Sequence, residues 1–99
     1  MTNDKYILEN GKIKVVDLMT WAEWFEKADR HIGNDFIDGV RVSTVFLGID
    51  HNFGEGEPLL FETMIFGGEH SDYQERYSTL EEAKQGHLKA IKLAKTIKE

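Results

Sequence analysis

A chain of 99 residues is the length of one domain, and 40% hydrophobic with 30% charged residues is a globular composition, not a disordered one. No apolar run nears the ~18 residues of a membrane span, and Met1-Thr2-Asn3-Asp4-Lys5 carries no basic-then-apolar leader, so the expected location is cytoplasmic. Zero cysteines exclude disulfides, thiol catalysis and cysteine-ligated zinc.

The net charge of −6 is unevenly spread. Residues 50–82 hold nine acids and Arg76 as the single base, while residues 83–99 hold five lysines against Glu99. A nucleic-acid backbone is held by clustered Lys and Arg, and the acidic stretch repels one. The C-terminal lysines are explained by a helix end, so no nucleic-acid backbone and no membrane are expected as partners.

Taken in chain order, Tyr6-Ile7-Leu8-Glu9 and Lys12-Ile13-Lys14-Val15-Val16 flank Asn10-Gly11, two residues tolerant of positive φ, and predict a β-hairpin. Asp17 is an N-cap, and Leu18, Trp21, Phe25, Ala28 and Ile32 recur at helical spacing, predicting a helix that stops near His31 to Gly33. Trp24 flanks that stripe as a lid on the core or an anchor for a partner. Residues 40–51 and 59–66 are rich in β-branched and aromatic residues and predict two long central strands joined by a Gly-containing loop. Tyr73 to Tyr77 reads as a short edge strand. Ser78 or Thr79 caps a last helix, with Leu80, Ala83, His87, Ala90, Ile91, Ala94 and Ile97 as its inward stripe. The expected fold is a single α+β domain over 1–99, one antiparallel sheet in ββαββ(β)α order with both helices on one face.

Polar residues at positions patterned for burial mark the candidate ligand-binding site: Ser43, Thr44, Asp50, His51, Glu62 and His87, together with Arg76; Arg41, Arg76 or His87 would serve as the partner of a buried Glu62. Strand parity puts Thr44 and Asp50 on one face and Ser43 and His51 on the other. If Phe46 pairs with Glu62, the carboxylate joins Thr44 and Asp50; a one-residue slip puts it beside Ser43. Against this, a lone His on an apolar helix face such as His87 is more often a hydrogen-bonded core residue, and Asp50-His51 reads as a loop cap.

No metal-binding spacing and no cofactor motif is present: Gly54-Glu55-Gly56 lacks a third glycine and is flanked by acids. An enzyme would use His51 or His87 as base and Glu62 or Asp50 to orient it, but a mid-strand Ser43 or Thr44 is screened by its neighbours.

Val42-Ser43-Thr44-Val45-Phe46-Leu47-Gly48-Ile49-Asp50-His51, Pro58-Leu59-Leu60-Phe61-Glu62-Thr63-Met64, Glu75-Arg76-Tyr77 and Gly86-His87 resemble a family of small proteins encoded by bacteriophages and bacteria. Tyr6-Ile7-Leu8 and Trp21-x-x-Trp24-Phe25 fit it too, so the likeness covers nearly the whole chain. Leu80 departs from it, since relatives often carry Trp there. The resemblance implies a phage or prophage origin and supplies no activity, because that family is functionally uncharacterised. The expected function is that of an acidic phage-type accessory protein that binds a host protein or sequesters a small ligand. A hydrolase-like or metal-assisted enzyme built on Asp50, His51, Glu62 and His87 is the alternative, and a structural homodimer formed through the apolar hairpin or an edge strand is the third reading.

Overall fold

The structure, a computed structural model, describes residues 4–52 and 54–95. The hairpin forms as predicted, β1 (Lys5–Glu9) against β2 (Lys12–Val16), with Asn10 and Gly11 at φ 52° and 78° in the two-residue turn. Helix α1 (Leu18–Lys27) starts at Asp17, whose carboxylate accepts the Thr20 N–H at 2.8 Å. That bond holds the Asp17 carboxyl below the usual carboxylate range.

Here the structure departs from the expectation. The helix stops at Lys27 because Ala28 is already extended, and His31–Ile37 is a strand, β3. Asp38 and Gly39, at φ 48° and 82°, turn β3 into β4 (Val40–Phe46) by the same device as Asn10-Gly11. Ile32 therefore belongs to a strand, and Leu18 stays largely exposed.

Strands β5 (Phe61–Phe66) and β6 (Gln74–Tyr77) complete an antiparallel sheet of order β3-β4-β5-β6, with the two predicted long strands at its centre. The single sheet expected from the sequence is thus two: the hairpin forms its own two-stranded sheet. It joins the rest through the Tyr6 N–H to Gly48 carbonyl bond at 3.0 Å, an isolated bridge from Lys5 to Ile49, and the packing of Tyr6 and Leu8 into the core.

Helix α2 (Leu80–Ala94) begins with the expected capping box, Thr79 accepting from the Glu82 N–H while the Glu82 carboxylate accepts from the Thr79 N–H. Ile97 of the predicted inward stripe lies outside the described residues. Helix α2 packs along the four-stranded sheet, while α1 rests on β1 and reaches the same covered face of the large sheet through Trp24. The core lies under α2: Phe46, Phe61, Tyr6, Leu60, Tyr77 and Ala83 at one end, Val42, Ile65 and Ala90 at the other. Trp24 reaches that core edge-on to Phe46, with ring centroids 5.6 Å apart, and acts as its lid. No described helix is long and apolar enough to cross a membrane.

Candidate functional site

The β4–β5 register fixes which polar residues meet. Phe46 faces Phe61, Val45 faces Glu62, Thr44 faces Thr63 and Ser43 faces Met64. Glu62 therefore lies on the face of Ser43, opposite to Thr44, and α2 covers the Thr44 side.

On the covered side, Thr44 and Thr63 are fully buried and their hydroxyls hydrogen-bond each other at 2.6 Å. The Thr44 hydroxyl also meets His87 Nδ1 at 2.7 Å, and His87 Nε2 meets Asp35 Oδ2 at 2.6 Å. The directions are mutually consistent with a neutral ring: Nε2–H donates to the carboxylate, Nδ1 accepts from Thr44, and Thr44 accepts from Thr63. Asp35 sits on edge strand β3 with its side chain half exposed, so the line of bonds runs from the core to the surface. Gly33 makes room for it, since a Cβ there would stand 2.5 Å from His87 Nε2.

Hydroxyl, imidazole and carboxylate stand in the order of a nucleophile, base and orienting acid. Thr44 has no exposed surface, however, and His87 is only 7% exposed, so no substrate atom reaches the hydroxyl. The arrangement satisfies buried polar groups and ties β3, β4, β5 and α2 together.

The remaining candidates lie elsewhere. Glu62 accepts from Arg76 Nε at 2.8 Å and Gln74 Nε2 at 2.7 Å. Asp50 Oδ1 accepts the Asn52 and Leu59 N–H groups at 2.7 and 2.8 Å, and His51 Nδ1 bonds the Ile49 carbonyl at 2.9 Å, so both close the 50–59 loop. Asp50, His51, Glu62 and His87 are therefore not brought together. Among the described residues no group of three or more His, Asp or Glu is placed to hold a metal ion.

Asp35, Gly33 and Thr63 carry no local signal of their place in the site: the helical spacing that runs through Ile32 masks the start of β3, and Thr63 is an ordinary strand residue beside the more conspicuous Glu62. The signal that could have found Asp35 is Asp38-Gly39, a hairpin dipeptide three residues on.

The other face of the four-stranded sheet carries no described helix. The molecule is 19 Å across at its thinnest, which is one sheet and one helix of about 10 Å diameter. By register that open face presents Phe36, Arg41, Val45, Met64, Phe66 and Arg76, with Ser43 a dip between larger neighbours. Phe36 and Phe66 are 71% and 43% exposed. The Arg41 guanidinium stands 5.2 Å from the Phe66 ring centroid and donates to Asn34 Oδ1 at 2.8 Å, with no carboxylate partner among the described residues.

On β6, burial raises the pKa of the Tyr77 hydroxyl, and burial followed by the hydrogen bond to Glu75 raises that of Tyr73. The folded state keeps these protons where an unfolded tyrosine, at about 10, has lost its own. Stability is accordingly full below about pH 10 and falls above it, as the unfolded chain comes to bind fewer protons than the native one. Thermal unfolding from pH 8 to 11 checks this: a midpoint that stays level past pH 10, or a Tyr73→Phe/Tyr77→Phe variant with an unchanged profile, contradicts it.

No protein-family model matches the chain, and neither curated proteins nor solved structures gave a match.

Proposed function

We propose that this is a binding protein of phage accessory type, which engages a host protein through the open face of its four-stranded sheet and performs no chemistry of its own. The observation that carries the reading is the composition of that face. Phenylalanine, methionine and arginine are the residue types enriched at protein interfaces, and here Phe36, Phe66, Met64 and Arg41 stand together without a covering layer. The face spans four strands, about 14 Å from the first to the last, and large exposed side chains of this kind suit a protein surface better than a small molecule that needs a concave pocket. Glu62 is neutralised by Arg76, so Arg41 is the unneutralised charge at the centre of the apolar group. The partner surface is therefore apolar with a carboxylate opposite Arg41, giving a desolvated charge-assisted contact. The host and phage assignment draws its support from the resemblance in the strand segments.

The test is a Phe36→Ser/Phe66→Ser variant beside Leu88→Ser, which alters an exposed residue of α2. Both should fold with an unchanged unfolding midpoint. Immobilised wild-type and Leu88→Ser chains should retain from a bacterial lysate a protein that the double variant loses, and that protein, purified, should bind wild type with at least tenfold preference. Retention of the same proteins by all three chains removes the open face as the site.

A further inference from the structure

Strand β6 forms the edge of the large sheet, and no described strand lies beyond it. The Ile65 N–H donates to the Tyr73 carbonyl at 3.3 Å, which sets Ile65–Tyr73 and, two residues on, Thr63–Glu75 as the bonded pairs of this antiparallel ladder. The main-chain N–H and C=O groups of Gln74 and Arg76 consequently turn outward, away from β5. Glu75 and Tyr77, alternating with them, turn toward α2.

Between β6 and α2 runs a groove of about 350 Å³. Glu75 lines it from the strand and Glu81, Glu82 and Gln85 from the helix, with Lys89 at its far end. Three carboxylates against one ammonium make it acidic. Tyr77 forms part of the wall; the residue is only 9% exposed, and its hydroxyl has no hydrogen-bond partner among the described residues. That hydroxyl comes directly against the helix at Gly86, where a Cβ would overlap it.

We propose that this groove takes an extended, basic segment of a partner protein, added to β6 as a fifth strand. Each feature has a part in such binding. The outward main-chain groups of Gln74 and Arg76 pair with the segment's backbone and supply affinity without regard to sequence. Every second side chain of the added strand then hangs over Glu75 and the first turn of α2, where a lysine or arginine meets Glu75, Glu81 and Glu82. Lys89 repels a basic side chain at the other end, so the segment lies toward the N-terminal turn of the helix. The four residues of β6 set the paired length at about 13 Å. This groove lies on the α2 side of β6, and the inference does not depend on the open face.

The test uses the full chain and a fluorescein-labelled, end-capped hexapeptide of alternating lysine and valine, read by anisotropy at low salt. Saturable binding is expected, with the Gln74 and Arg76 amide resonances shifting as the peptide is added. Glu75→Gln/Glu81→Gln, both exposed positions, should weaken binding by about fivefold, in line with two partly screened ion pairs. N-methylation of every second peptide amide should abolish binding in one phase and spare it in the other, because only one set of amides faces β6. A glutamate–valine peptide should not bind, and Phe36→Ser/Phe66→Ser should bind the lysine peptide as wild type does. Absence of saturable binding, or binding indifferent to N-methylation in both phases, overturns the proposal.

Discussion

His87→Ala should cost about 3 kcal/mol of the roughly 5–15 kcal/mol that holds a domain of this kind together. The loss has two sources. Thr44 and Thr63, both fully buried, keep each other's hydrogen bond but lose the acceptor that terminates their chain. The vacated imidazole volume between α2 and Gly33 adds a cavity term. The unfolding midpoint should fall by roughly 10–20 °C for a chain of this size. The asymmetry between a broken and an absent polar network supplies the sharper check. Thr44→Val/Thr63→Val/His87→Leu removes every buried member at once and should recover at least half of the loss. A triple variant no more stable than His87→Ala would mean that the stability came from somewhere other than these bonds.

Phe46→Ala should be at least as damaging, at about 4 kcal/mol. Phe46 is fully buried, packs on Phe61 with ring centroids 5.3 Å apart, and receives the edge of Trp24. It is also where the N-terminal hairpin and α1 meet the large sheet, beside the Tyr6–Gly48 bond, the Lys5–Ile49 bridge, the packing around Gly48 and the insertion of Tyr6 and Leu8 into the core. Truncation should therefore free the N-terminal unit first. Amide exchange is expected to accelerate across β1, β2 and α1 well before β4 and β5 lose protection. Uniform acceleration across all six strands would show that the two sheets unfold as one unit.

The parts of the fold that local chemistry determines were legible. Asn10-Gly11 specifies its turn by backbone tolerance alone, Thr79 with Glu82 specifies a helix start, and the apolar runs at 40–46 and 61–66 have no stable place except the centre of a sheet. Strand β3 was not legible from its own composition, because Gly33, Asn34 and Asp35 are poor strand formers and the strand exists through pairing with β4. Asp38-Gly39 carried the hairpin signal that would have found it. Missing β3 also hid Asp35, and with it the surface end of the His87 line. The sequence reading singled out His87 and Thr44 for burial but left the β4–β5 register open, and that register alone separates Glu62 from both. The open face was illegible for a related reason. Which side of a central strand lacks a covering layer depends on where α2 docks, and β4 and β5 carry both apolar and polar residues on each face.

Two groups of residues are assigned different work: the buried polar line holds the core together, and the open face is the proposed partner surface. The most direct measurement is partner binding by two variants side by side: Phe36→Ser/Phe66→Ser, which alters the open face, and Thr44→Val/Thr63→Val/His87→Leu, which erases the buried network. The first is expected to lose the partner at full stability, while the second, once shown to be folded at the assay temperature, binds as wild type does. Binding that survives in the first and vanishes in the folded second would contradict this assignment, and would return the function to His87 and its neighbours.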